Sequence, residues 1–343
     1  MRRAAIGIDI GGTNVKLGLV DERGRVLLRD TFRTSRARSR GEMLDKLTSH
    51  VTALASETRS RGMRLAGVGI GAPGPIDVER GFVYFFPNIP GWKDTPLKKI
   101  LEKRLRLPVF VDNDANAMAL GESLFGAGHG AKNVVALTLG TGVGGGLVIG
   151  GKLFHGSTFS AAEIGHMVVD PAGPLCACGN RGCIEAFVGN GYFVREVRAR
   201  LKGKKSILKK WIKEGKELSP KLVQEAARRG DTFSREQWKL TGERLGTFLA
   251  GLANLLNPER IVLGGGIALG GELHADAVQL LPKDGSKQQD LWGGNIHPNL
   301  SKEEKVKYTS MINIRPSQGQ RAMEIKDAKI RGQIDQVLSR LLS

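Results

Sequence analysis

Cysteine is almost absent from this chain: three of its 343 residues are thiols, and all lie between positions 176 and 183. A disulfide framework would spread paired thiols along the chain, and an odd count leaves one unmatched, so this reading falls away. Aromatic residues are few, at 6%, and none interleave with the basic clusters. The stacking surface of a single-strand nucleic-acid binder is therefore missing. Long apolar runs are missing too. The opening "MRRAAIGIDIGG" has two arginines, but its five-residue apolar run stops at Asp9, which makes it neither a signal peptide nor a membrane span. The expected compartment is a reducing cytoplasm, with no membrane partner. Acidic residues number 34 against 52 basic ones, a net charge of +18. The surplus gathers in "RTSRARSR" (33–40), "KKILEKRLR" (98–106) and "RARLKGKKSILKK" (198–210), where apolar residues are interspersed. These read as solvated helix faces, and no specific nucleic-acid partner is expected.

What is abundant is glycine, with 47 residues, beside a hydrophobic content of 41%. That balance fits an α/β protein of two ordinary domains with many tight strand-to-helix turns. Residues 4–10 read as a strand, followed by the turn "GGTN" and hairpin strands around Asp21 to Gly24. A helix is expected over about 41–60, then the strand and loop "RLAGVGIGAPGPID", the helix "TPLKKILEKRL" and the strand "PVFV". At 133–149, "NVVALTLGTGVGGGLVI" repeats the opening theme of strand, Gly/Thr turn and strand, which suggests two α/β halves. A charged helical stretch follows over about 191–229, then a long amphipathic helix at 235–258 closed by Asn257 and Pro258, and the strand "RIVLGGG". The polar stretch 283–304 reads as a loop.

The clustered thiols find a use in metal binding. Cys176, Cys178 and Cys183 alternate with Gly179 and Gly182, which lets the backbone turn tightly enough for three sulfurs to converge. His166, ten residues upstream, completes a Cys3His set. Four protein ligands close the coordination sphere of zinc, so the ion is expected to be structural.

Three glycine turns each end an apolar strand: "DIGGTNVK" from Asp9, "LGTGVGGG" at 139–146, and "LGGG" at 263–266. Glycine lets backbone N–H groups approach phosphate oxygens, and Thr13 adds a hydroxyl. Together they suit a nucleotide held between two domains, with Asp9 available to magnesium through water. Neither the Walker pattern nor the GxGxxG of a dinucleotide fold occurs. A proton acceptor could come from Asp112 or Asp114 in "PVFVDNDANAMALGE", where a strand meets a helix and carboxylates also serve as N-caps.

The ordered series "DIGGTNVKLG", "GAPGPID", "FPNIPGW", "DNDANAMALGE", "LGTGVGGG", "AAEIGHM", "CACGNRGCIEA" and "ANLLNPERIVLGGG" resembles the ROK family of sugar kinases and sugar-responsive repressors, from residue 4 to about 273. The resemblance implies the two-domain, actin-like (ribonuclease H-like) ATPase fold with an interdomain cleft and a zinc knuckle. Its first domain would be residues 1–115, completed by a C-terminal helix at about 325–343, and its larger domain residues 116–324. Also implied is ATP-dependent phosphorylation of the 6-hydroxyl of glucose or a close hexose, with an N-acetylhexosamine or fructose as the alternative acceptor. Asp114 falls on the catalytic base, and Asn88, Asn113, Glu163, His166 and Glu185 join it on the sugar. ATP and magnesium fall to Asp9, Gly11, Gly12, Thr13, Asn14, Lys16, Gly140, Thr141, Gly142, Gly264, Gly265 and Gly266. Zinc falls to His166, Cys176, Cys178 and Cys183, and a homodimer or larger homo-oligomer is implied. Polyphosphate is a second candidate donor, on account of the basic surface. A repressor of the family carries a winged helix before its phosphate loop; that loop starts here at residue 9, which favours the enzyme. The family's small-residue C-terminal helix is replaced by "QRAMEIKDAKIRG", so closure of the first domain is expected to differ.

Overall fold

Alternating apolar residues set the first sheet. In β1 (Arg3–Ile10) and β2 (Asn14–Asp21), Ala4, Ile6, Ile8, Ile10, Val15, Leu17 and Leu19 all turn into one core while their neighbours face outward. The computed structural model describes residues 2–34, 39–86, 89 and 91–264, with 295–296 and 306–307. β3 (Val26–Arg33) pairs antiparallel with β2, and β4 (Arg64–Ala72) runs parallel to β1. A small antiparallel sheet follows, made of β5 (Ile76–Asp77), β6 (Phe82–Phe85) and β7 (Lys93–Thr95), which the sequence did not announce. β8 (Val109–Asn113) then closes the large sheet in the order β3-β2-β1-β4-β8. α1 (Arg40–Ser60) starts where the Ser39 hydroxyl accepts from the Glu42 N–H, and it buries Met43, Leu44, Leu47 and Val51 in that core. α2 (Leu97–Leu105) adds Leu97 and Leu101.

The second sheet repeats the first. β9 (Val134–Leu139), β10 (Val143–Ile149), β11 (Lys152–Leu153) and β12 (Arg260–Gly264) take the order β11-β10-β9-β12, antiparallel across β10 and parallel between β9 and β12. Strand for strand this is the β3-β2-β1-β4 arrangement, so the recurrence read at 133–149 is one of topology. α3 (Asp114–Phe125) leaves β8 and packs on β10. Two glycines permit it: a Cβ on Gly146 would stand 2.5 Å from the Ala119 Cβ, and one on Gly144 3.0 Å from the Ala115 Cβ. The first turn of α3 is thereby held against the second sheet.

The charged stretch read as continuous over about 191–229 is divided. α4 (Glu185–Val188) leads into α5 (Asn190–Arg200), α6 (Ile207–Lys213) and α7 (Pro220–Arg228), with positive φ at Gly203 and Gly215 and capping hydroxyls at Ser206 and Ser219 starting each new helix. Phe193, Val197, Leu208, Trp211 and Val223 join these helices in a core of their own. The basic residues around them point outward as solvated faces, in agreement with the reading above. α8 (Thr232–Leu256) is the expected long helix, with Asn257 at a positive φ of 42° just beyond it. Within 283–304, Asn295 and Ile296 are described; they form β13 (Asn295–Ile296), which pairs with β14 (Val306–Lys307) instead of lying in a loop. The expected C-terminal helix at 325–343 lies outside the described residues. The described site residues belong to one compact unit, residues 1–241 with 259–277. None of the described helices is long and apolar enough to cross a membrane.

Candidate functional site

Asp112, Asn113 and Asp114 leave the end of β8 with different tasks. Asn113 is the N-cap of α3: its Oδ1 accepts from the N–H groups of Ala115 (2.9 Å) and Asn116 (3.4 Å), and its Nδ2 reaches the Gly74 carbonyl at 3.5 Å. Capping therefore belongs to the amide rather than to either acid. Asp112 is fully engaged. Its Oδ1 accepts from the Asn113 N–H (2.7 Å) and Asn116 Nδ2 (3.0 Å), and its Oδ2 accepts from His155 Nε2 at 2.8 Å.

Asp114 is different. Its Oδ1 accepts from the Ala115 N–H at 2.8 Å, and among the described residues it has no cationic partner. The residue is exposed to solvent, yet the hydration that its carboxyl loses to the protein holds it above the usual carboxylate range, and the nearby charges of Asp9 and Glu163 push the same way against the Ala115 N–H. A carboxylate raised in this way is a stronger proton acceptor once ionised.

The first glycine turn is braced at both ends. The Gly11 N–H donates to the Asn14 carbonyl (3.0 Å), Thr34 Oγ1 donates to the Gly11 carbonyl (2.6 Å), and the Thr34 N–H to that of Thr13 (2.9 Å). Asp9 and Lys16 lie opposite each other in the hairpin, with Nζ 3.7 Å from Oδ2 and both side chains more than half exposed. Exposed carboxylate and ammonium at the mouth of a glycine turn suit a polyphosphate chain and its cation.

The second glycine run is divided in role. Gly140 and Gly142 close the turn, with the Gly140 N–H donating to the Gly142 carbonyl at 2.9 Å, and a Cβ on Gly140 would meet open space. Gly144 and Gly146 belong to β10 and admit α3, while a Cβ on Gly145 would stand 2.5 Å from the Ala162 carbonyl. Gly264 ends β12; Gly265, Gly266 and the sugar candidate Asn88 lie outside the described residues.

His166 and the three cysteines do come together. A single 3-10 turn, Ile164–His166, brings the imidazole forward, and the four ligand atoms all lie within 4.8 Å of one another. Cys178 Sγ and Cys183 Sγ are 3.6 Å apart, as are Cys176 Sγ and His166 Nδ1. Ligands of a tetrahedral zinc ion stand roughly 3.5–3.8 Å apart, so the spacing fits a metal, and the three thiols are unpaired. Positive φ at Gly179 (94°) and Gly182 (70°) shapes the knuckle, and the Ala177 N–H donates to the Tyr192 hydroxyl of α5 at 2.8 Å. Burial, with the neighbouring thiols, pushes Cys183 up to about 12. A thiol so enclosed ionises only beside a dication.

Glu185 links this cluster to the second turn. Its Oε2 accepts from the Val143 N–H at 2.8 Å, and its Oε1 accepts from the Cys176 thiol at 3.6 Å. A Cβ on Gly142 would stand 2.5 Å from the same Oε2. This bond is not legible in the sequence, because the partner is a backbone N–H, and neither is the role of His155, an isolated histidine in "KLFHGS".

The profile of the ROK family matches residues 5–288, and that of a family described as "Protein of unknown function (DUF5674)" matches residues 261–341. The chain is 40% identical over 269 residues to a glucokinase of Thermotoga maritima, covering 78% of this chain and 83% of that protein. It is 32% identical over 292 residues to the transcriptional repressor Mlc of Escherichia coli, covering 85% and 68%. A ROK family glucokinase of Streptomyces griseus, solved with glucose and AMPPNP, matches with a TM-score of 0.65 at 38% identity, over 81% of this chain and 88% of that one.

Proposed function

The chain belongs to the ROK family, and we propose that it is an ATP-dependent kinase that phosphorylates the 6-hydroxyl of glucose or a closely related hexose. The observation that carries this reading is Asp114. It is an acid at a strand end with a raised proton affinity and no cationic partner, in a chain 40% identical to a glucokinase. Asp114 accepts the proton of the sugar hydroxyl as that oxygen attacks the γ-phosphorus, whose bond to the bridging oxygen breaks to release ADP. Glu163, His166 and Asn113 hold the ring hydroxyls, and Glu185 steadies the turn at Val143 beside them. The backbone around Gly11–Thr13 and Gly140–Gly142, with Lys16, receives the phosphates. Asp9 would hold magnesium, which would supply charge neutralisation on the phosphate oxygens. We assign the Cys3His cluster to structural zinc held by His166, Cys176, Cys178 and Cys183, in a cytoplasmic protein.

A coupled assay of the purified protein tests the reading, with glucose, mannose, fructose, N-acetylglucosamine and N-acetylmannosamine each paired with ATP and with polyphosphate. Turnover is expected with ATP and an unmodified hexose. No turnover on any pair, with DNA retained in a gel shift, would favour the repressor reading that the Mlc similarity supports.

Three variants probe the site. Gly140→Val is expected to raise KM for ATP about tenfold with little change for the sugar, because its side chain enters open space beside the phosphates. Gly142→Val should raise both KM values, since it displaces Glu185. Equal effects from the two variants would remove Gly140 from the donor site. Glu163→Gln deletes one charge that raises Asp114, so Asp114 loses its proton at lower pH and the acid limb of kcat/KM moves down. An acid limb that stays put or moves up would separate Glu163 from Asp114.

A further inference from the structure

His155 stands outside every role assigned so far. We propose that it is a positioning residue for Asp114, holding Asp112 and so fixing the strand-to-helix turn that presents the base; this rests on the kinase reading above. His155 Nε2 donates to Asp112 Oδ2 at 2.8 Å, and the two side chains are 23% and 19% exposed. The other oxygen of Asp112 accepts from Asn116 Nδ2, and Asn116 is buried at 3% exposure in the first turn of α3. A polar line His155–Asp112–Asn116 thus crosses the start of the helix whose first residue is Asp114.

The histidine also anchors the far end of its own loop. Its carbonyl accepts from the Ala161 N–H at 3.0 Å, which closes residues 155–161 into a bend, and Phe159, at a φ of 60°, sets its ring edge-on to the imidazole. Ala162, at a φ of 66°, then lies on Gly145, and Glu163 follows. One residue therefore ties the loop that carries Glu163, from the second sheet, to the end of β8 in the first. A shift at His155 moves the base and a sugar ligand relative to each other, which bears on turnover more than on donor binding.

The test is steady-state kinetics on the full chain. His155→Ala is expected to lower kcat about tenfold and to raise KM for the hexose, with KM for ATP within about twofold of wild type. His155→Gln, whose amide nitrogen can replace Nε2, should recover most of kcat, which a loss of packing alone would not allow. The double variant His155→Ala, Asp112→Asn should be no slower than the worse single variant. If His155→Ala does not fold, His155→Asn takes its place: it is polar but too short to reach Asp112, and the same loss is expected. Wild-type kcat in the Ala or Asn variant, no recovery with Gln, or full additivity overturns the proposal. An inactive wild type refutes the kinase reading and takes this proposal with it.

Discussion

Asp114→Asn is expected to lower kcat by roughly 10²- to 10⁴-fold while the hexose still binds with near wild-type affinity. The amide keeps the size of the carboxyl and can still accept from the Ala115 N–H, so the start of α3 is retained. What it cannot do is take a proton. Loss of the helix cap does not confuse the result, because the cap of α3 is Asn113 and not the residue being changed. Asp112→Asn is the internal control. That acid is occupied by His155, Asn116 and the Asn113 N–H, so its replacement perturbs position and not proton transfer, and about tenfold is expected. Rapid-quench or coupled kinetics with calorimetric titration of the sugar separates the two effects. Near-normal turnover in Asp114→Asn, with the Asp112 variant dead, would exchange the roles of the two acids.

Much of the architecture behind this prediction was legible because it depends on local chemistry. Alternating Ala4, Ile6, Ile8 and Ile10 can only be a half-buried strand, and the glycines after it can only be a turn. The thiols and His166 were legible for a similar reason: three cysteines among glycines within eight residues can converge without help from distant chain. Less legible was the division of labour inside "LGTGVGGG". Gly140 and Gly142 serve a turn, whereas Gly144 and Gly146 are small because α3 passes over them, and the letters do not differ. The helix breaks at Gly203 and Gly215 are masked in the sequence by the continuous charge pattern on either side. Bonds between distant segments were beyond reach. Nothing in the residues around Asp112 or His155 indicates that two groups 43 positions apart are partners.

The knuckle yields the second large effect. The protein should carry about one zinc per chain, and Cys178→Ser should lose it along with about 3 kcal/mol or more of stability, roughly 4 °C or more in Tm for a chain of this size. Cys178 is the informative choice because its thiol is exposed. Serine there removes a ligand without opening a cavity, whereas Cys183 is fully buried and its replacement would also strand a hydroxyl. Activity should fall with the metal. The cluster holds His166 directly, and Glu185, two residues beyond the ligand Cys183, holds the turn at Val143, so a loosened knuckle releases sugar and donor contacts together. Chelation of the wild type should reproduce both losses, and zinc should reverse them. Elemental analysis beside thermal melting decides the matter. Metal-free wild type that melts and turns over as before would mean that buried thiols and the Tyr192 bond suffice to hold Glu185, and that the Cys3His cluster is a packing motif.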